Sequence, residues 1–152
     1  MRRLCIIACG AKKIWDVLPE AKATEAQHVY QSAFHKASQA YARTFFQEWA
    51  ILSAKHGFLL PSDIVPENYD VAFGTKSEEI VTIDELIRQA QDKQLDDVDE
   101  VVMLGGKKFT GIMHAVFGEE RSHFPLADCK GIGFMLQKLN KAVADKEEIG
   151  KG

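Results

Sequence analysis

Three nearly continuous apolar runs divide this chain: Leu4 to Ala8, Trp49 to Ser53 and Glu100 to Leu104. None alternates with polar residues, so each reads as a strand buried on both faces, the pattern of a parallel sheet. Between them the period lengthens. Ser32 is placed to cap a helix, and Phe34, Ala37, Tyr41, Phe45 and Trp49 recur at helical spacing, so Ala33 to Glu48 is expected to be a helix with one buried stripe. Ser77 or Thr82 opens a second helix with Ile80, Ile83, Leu86, Ile87 and Ala90 as its apolar positions. A third is expected from Phe109 to Phe117 and a fourth from Ile132 to Ala144, with Ser122 to Pro125 as a short fourth strand. Residues 14 to 31, which hold Pro19, and Phe58 to Gly74, with Pro61 and Pro66, lack a clear period and read as long loops, the first with room for a short helix.

Strands that alternate with helices imply right-handed crossovers and parallel pairing. The expected fold is α/β: a three-layer sandwich around a mainly parallel central sheet of about four strands. One domain spans residues 1–145, and the Lys/Glu/Gly-rich residues 146–152 read as a frayed tail. Leu4–Ala8, Ala50–Ser53 and Val101–Leu104 should be adjacent, with their following loops on one edge.

At 152 residues and 46% hydrophobic content the chain is long and apolar enough for a sizeable core. A formal net charge of −3 argues against a surface coated in basic residues for duplex DNA, while leaving room for a local basic groove. The N-terminal apolar run is too short for a signal peptide, and no stretch approaches the ~18 apolar residues of a membrane span. The expected setting is cytoplasmic, with no membrane partner. Cys5, Cys9 and Cys129 are an odd set with no export signal, so free thiols are expected. Cys5 and Cys9 would stand ~13 Å apart along a strand, too far to share a zinc ion. No metal site is expected, and no pattern calls for a cofactor.

Chemistry gathers where the strands end. The three exit loops are Cys9-Gly10-Ala11-Lys12-Lys13, Ser53-Ala54-Lys55-His56-Gly57 and Gly105-Gly106-Lys107-Lys108. Glycines let backbone N–H groups approach a ligand, and lysines supply point charges for phosphate. Three such loops on one edge point to an anionic ligand, although none matches the P-loop or the dinucleotide fingerprint. In this reading Lys12, Lys55 and Lys107 hold phosphate, and Cys9, Gly10, Lys13, Ser53, Gly57, Gly105 and Gly106 line the ligand site. Tyr30 or Tyr69 stacks on a base. His56 titrates near neutrality and, with Asp63 or Asp70 from the following loop, handles protons at the base or an N-glycosidic bond. Cys9 is open to two readings, an activated thiolate beside lysines or an inert buried thiol. His28, His35, His114 and His123 read as structural. Lys130-Gly131-Ile132-Gly133 resembles half of a helix-hairpin-helix element whose second half is missing, able to hold a phosphate on free N–H groups, and reads equally as a plain turn into the last helix.

These residues also form an ordered series. Cys9-Gly10-x-Lys12-Lys13 is followed by Ala26, Tyr30, Ser32 and Phe34. Then come Ile51-Leu52-Ser53-Ala54-Lys55-His56-Gly57-Phe58-Leu59-x-Pro61, Pro66-x-x-Tyr69-Asp70, Pro125-Leu126 and Gly131-Ile132-Gly133-x-x-Leu136-x-x-Leu139. The series resembles a bacterial and phage family related to the YaaA-like, peroxide-stress group, with Leu-Ser-x-x-x-Gly-x-Leu-x-Pro as its most specific part. The resemblance covers most of the chain. It implies a shared site and, from the group's links to DNA and oxidative stress, a non-catalytic DNA-binding role. That role stands beside two others: a nucleotide-, nucleoside- or base-binding protein acting as an enzyme, and a nucleotide sensor.

Overall fold

The computed structural model describes residues 1–150. Its main sheet has five strands. The strands are β1 (Arg3–Ala8), β3 (Glu48–Ser53), β4 (Gly57–Leu59), β6 (Glu100–Leu104) and β7 (Ser122–His123). β1 lies between β3 and β6, parallel to both, with Ile6 opposite Ala50 on one side and Met103 on the other. β7 continues the parallel set beside β6, and β4 closes the far edge antiparallel to β3. The expected adjacency of the three long strands is therefore observed. A two-stranded ribbon pairs β2 (Thr24–Glu25) with β5 (Ile64–Val65).

The apolar runs bury both faces because successive side chains point opposite ways. Cys5, Ile7, Trp49, Ile51, Val102 and Leu104 face one helical layer, formed by α3 (Ala33–Phe45) and α6 (Ile132–Asp145). Leu4, Ile6, Ala50, Leu52, Val101 and Met103 face the other, formed by α4 (Ile83–Asp92) and α5 (Thr110–Phe117). Burying each of the large aliphatic side chains among them stabilises the fold by roughly 1.5–3 kcal/mol. Ser32 caps α3 by accepting from the His35 N–H at 3.1 Å. Thr82 and Glu85 form a capping box at α4.

Several expectations shift. α3 ends at Phe45 rather than Glu48; the turn through Gln47 lets Glu48 begin β3, where it accepts from Arg2 at 2.8 Å. The segment 14–31 holds two short helices, α1 (Ile14–Val17) and α2 (Ala26–Val29), besides β2. The stretch from Phe58 begins in a strand, because Ser53–Gly57 is a hairpin turn. Gly57 adopts φ +75°, and the Gln89 side chain braces the turn by accepting from the Phe58 N–H at 2.8 Å and donating to the His56 carbonyl at 3.0 Å. The segment after 145, expected to fray, is tied down through Ile149. Glu148 accepts from Arg3 at 2.9 and 2.6 Å, and the Ile149 N–H donates to the Tyr41 hydroxyl at 3.1 Å. Residues 151 and 152 lie outside the described residues. Among the described residues no helix is long and apolar enough to cross a membrane.

Candidate functional site

The chain leaves β1 toward the α3 layer and leaves β6 toward the α5 layer. Adjacent parallel strands whose exits diverge leave a crevice beyond their C-terminal ends, the usual ligand position in open α/β sheets. Here that crevice is a cleft of about 510 Å³. Cys9, Gly10, Ala11 and Lys13 line it from the loop after β1, Leu52 from β3 with Ala54 just beyond it, and Gly105 to Phe109 from the segment after β6. Asp70 to Phe73, Phe34 of α3, and Ile132 and Met135 of α6 complete it. Its floor and walls are largely apolar. Lys13 is buried, whereas Lys107 and Lys108 are exposed.

Two of its glycines are there for space or backbone shape. Gly10 adopts φ +84°, and a Cβ there would stand 3.3 Å from the Ser32 hydroxyl that caps α3. A Cβ on Gly105 would press to 2.6 Å from the Phe109 ring. The two loops thus stay thin where the cleft opens.

The described structure brings Cys9, Gly10, Lys13, Asp70, Gly105, Gly106 and Lys107 together around this cleft. The other candidates lie elsewhere. Lys12 is exposed and lines no part of the cleft. Lys55 faces Glu79 at 3.8 Å. Gly57 belongs to the hairpin turn. Asp63 is committed to the turn before β5, where it accepts from the Leu60 N–H at 2.8 Å and pairs with Lys93 at 2.5 Å. The aromatic pair does not offer a stacking face. Tyr30 is 1% exposed and Tyr69 8%. Their hydroxyls hydrogen-bond to each other, and the Tyr69 hydroxyl also bonds Ser53 Oγ at 2.8 Å. Burial pushes both phenols up, Tyr69 to about 12.

His56 packs edge-on against Tyr69, with ring centroids 4.9 Å apart. Burial, then the neighbouring Lys55 charge, holds it below the usual histidine value. Its backbone N–H donates to Ser53 Oγ at 3.1 Å, and its Nε2 has no hydrogen-bond partner among the described residues. The Cys9 thiol is pushed up by burial, against weaker pulls from the Ala54 backbone and Lys13. Among the described residues no group of three or more His, Cys, Asp or Glu is placed to hold a metal ion.

A family model described as "Family of unknown function (DUF6884)" matches residues 4–141. The chain belongs to this family. It is also 57% identical over 150 residues to the Bacillus subtilis (strain 168) "Uncharacterized protein YfjM", an alignment covering 98% of this chain and 100% of that one. The DUF6884 match contains every residue that lines the cleft.

Sequence reasoning about this DUF6884 chain missed the apolar part of the site. Phe34 and Met135 sit at helical spacing and read as core, and Phe109 opens a helix. Phe73 lies in a stretch without period, yet its ring meets Phe109 edge-on at 6.1 Å. No local signal distinguishes these side chains from ordinary packing. The topological crossing at β1 and β6 is what collects them.

Proposed function

We propose that this protein binds a nucleotide-like small molecule in the cleft at the C-terminal edge of its sheet. The observation that carries the reading is the composition of that cleft. It combines aromatic and methionine walls, suited to a base, with glycine-thinned loops and lysines, suited to an anionic group. Its volume of about 510 Å³ falls within the ~300–1,000 Å³ typical of small-molecule sites. Two other hollows lack this combination. One lies at the opposite end of the strands beside Arg2 and Arg3, whose guanidiniums are already paired with glutamates. The other is a groove along α3 lined by Gln27, His28, Tyr30, Gln31, Lys36 and Arg43, open to solvent and with no glycine among its lining residues.

The reading assigns binding to Cys9, Gly10, Lys13, Gly105, Gly106 and Lys107. Asp70 is the carboxylate lining the cleft, and a proton-transfer step would fall to it rather than to His56 or Asp63. Thermal denaturation with a panel of nucleosides, nucleotides and short oligonucleotides tests the proposal. A ligand at 100 times its Kd stabilises the native state by about 2.7 kcal/mol. For a chain of this length that raises Tm by roughly 5–10 °C. A shift confined to oligonucleotides and abolished by salt would favour the DNA-binding role instead. No shift with any panel member would refute the reading.

A further inference from the structure

Lys13 is the only buried lysine among the described residues, at 4% exposure. Its position is fixed from both ends. The backbone bridges to Tyr30, and its N–H donates to Asp16 at 2.8 Å. At the other end, Nζ donates to the Ala11 carbonyl at 2.9 Å and lies 4.4 Å from the centre of the Tyr69 ring. No carboxylate lies within 4 Å of it among the described residues. The ion-paired lysines, Lys55, Lys93, Lys138 and Lys141, all sit in more exposed positions. Burying an ammonium is expensive unless an anion meets it. One carbonyl and a π face offset only part of that expense. The same side chain lines the cleft.

Resting on the ligand-binding reading above, we propose that Lys13 is the anion-binding point of the cleft and that it takes the phosphate of a nucleoside monophosphate. The phosphate occupies the inner end, beside Lys13 and the Gly10–Ala11 turn, and the base lies against Phe34, Phe73, Phe109 and Met135. Asp70 is exposed and forms no ion pair with Lys13, so it does not neutralise the site. Lys107 and Lys108 are exposed, where a charge is screened by salt and adds less.

Calorimetric titration tests this with inorganic phosphate, the common nucleoside 5′-monophosphates and the corresponding nucleosides as probes. The proteins are wild type, Lys13→Met and the double variant Lys107→Met/Lys108→Met. Lys13→Met should weaken the monophosphates by about 10- to 100-fold, the range of a lost charge-assisted hydrogen bond. Nucleoside affinity should stay within about twofold, and the double variant should lose less than Lys13→Met. Equal monophosphate affinity in Lys13→Met and wild type would overturn the proposal. So would wild-type protein that binds nucleosides as tightly as their monophosphates. Lys13-dependent binding of inorganic phosphate, with no nucleoside or nucleotide bound, would remove the nucleotide reading and leave Lys13 as an anion site. A wild-type titration with phosphate, followed on the amide resonances of Gly10, Ala11 and Lys13, does not depend on how the variant folds. Those resonances should move, and their failure to move at saturating phosphate would overturn the assignment.

Discussion

Replacing Tyr69 by Phe should loosen the wall of the cleft through the loss of one oxygen atom. The Tyr69 hydroxyl is the junction of three elements: it bonds Tyr30 at the end of α2 and Ser53 at the end of β3, and its own loop continues into Asp70–Phe73 along the cleft. All three groups are buried. A hydrogen bond contributes a net ~0.5–1.5 kcal/mol, and leaving a buried partner unsatisfied raises the loss to about 1–3 kcal/mol. The expected destabilisation is therefore about 1–3 kcal/mol, or a fall in Tm of roughly 2–12 °C. The ring remains, so its packing against His56 and under Lys13 survives, and the effect isolates the hydroxyl. Urea denaturation of wild type, Tyr69→Phe, Ser53→Ala and the double variant measures it. The two single effects should fail to add by at least about 0.5 kcal/mol, as for residues in one network. A single-variant effect within ~0.5 kcal/mol of zero, or strict additivity, would refute the claim that the hydroxyls hold the loop.

Stability should fall in mild acid because of His35. Burial lowers its pKa to about 4, while the unfolded chain protonates near 6.5. Between those values the unfolded state binds more protons, so stability drops as pH falls from about 6.5 to 4, by up to about 3 kcal/mol. An imidazole signal from His35 that titrates near 6.5 in the folded protein would contradict this. Gly57→Ala should cost about 2–4 kcal/mol, measured by denaturation. It places an L residue at φ +75° and a Cβ 2.0 Å from Gln89 Oε1, driving that side chain off both of its backbone bonds. A cost below ~1 kcal/mol would show that Gln89 does not brace the hairpin.

The sheet was legible because a strand buried on both faces leaves an unbroken apolar run, and β1, β3 and β6 each do so. β4 was not. Gly57-Phe58-Leu59 is too short for a period, and its pairing depends on a turn conformation and on Gln89, which lies on α4. The location of the cleft followed from the strand ends, yet the division of labour among its lysines did not. Lys13 is set apart from Lys12 by a bridge to Tyr30, a contact between residues 17 apart that no spacing rule reports. Tyr30 and Tyr69 have the composition of stacking residues but turn their hydroxyls to each other across 39 positions. Asp63 looked free in a polar loop, and its partner Lys93 lies on the far side of α4 in sequence. The tail looked frayed by composition, while Glu148 meets an arginine at the other end of the chain.

A crystal structure of the protein with a bound nucleoside 5′-monophosphate, chosen as the one that raises Tm most, would decide the whole account. The phosphate should lie within hydrogen-bond distance of Lys13 Nζ, beside Gly10 and Ala11, and the base against Phe73 and Phe109. A nucleotide bound instead in the groove of Gln27, Gln31 and Arg43, or at the Arg2–Glu48 end of the sheet, with the cleft at β1 and β6 unfilled, would contradict it.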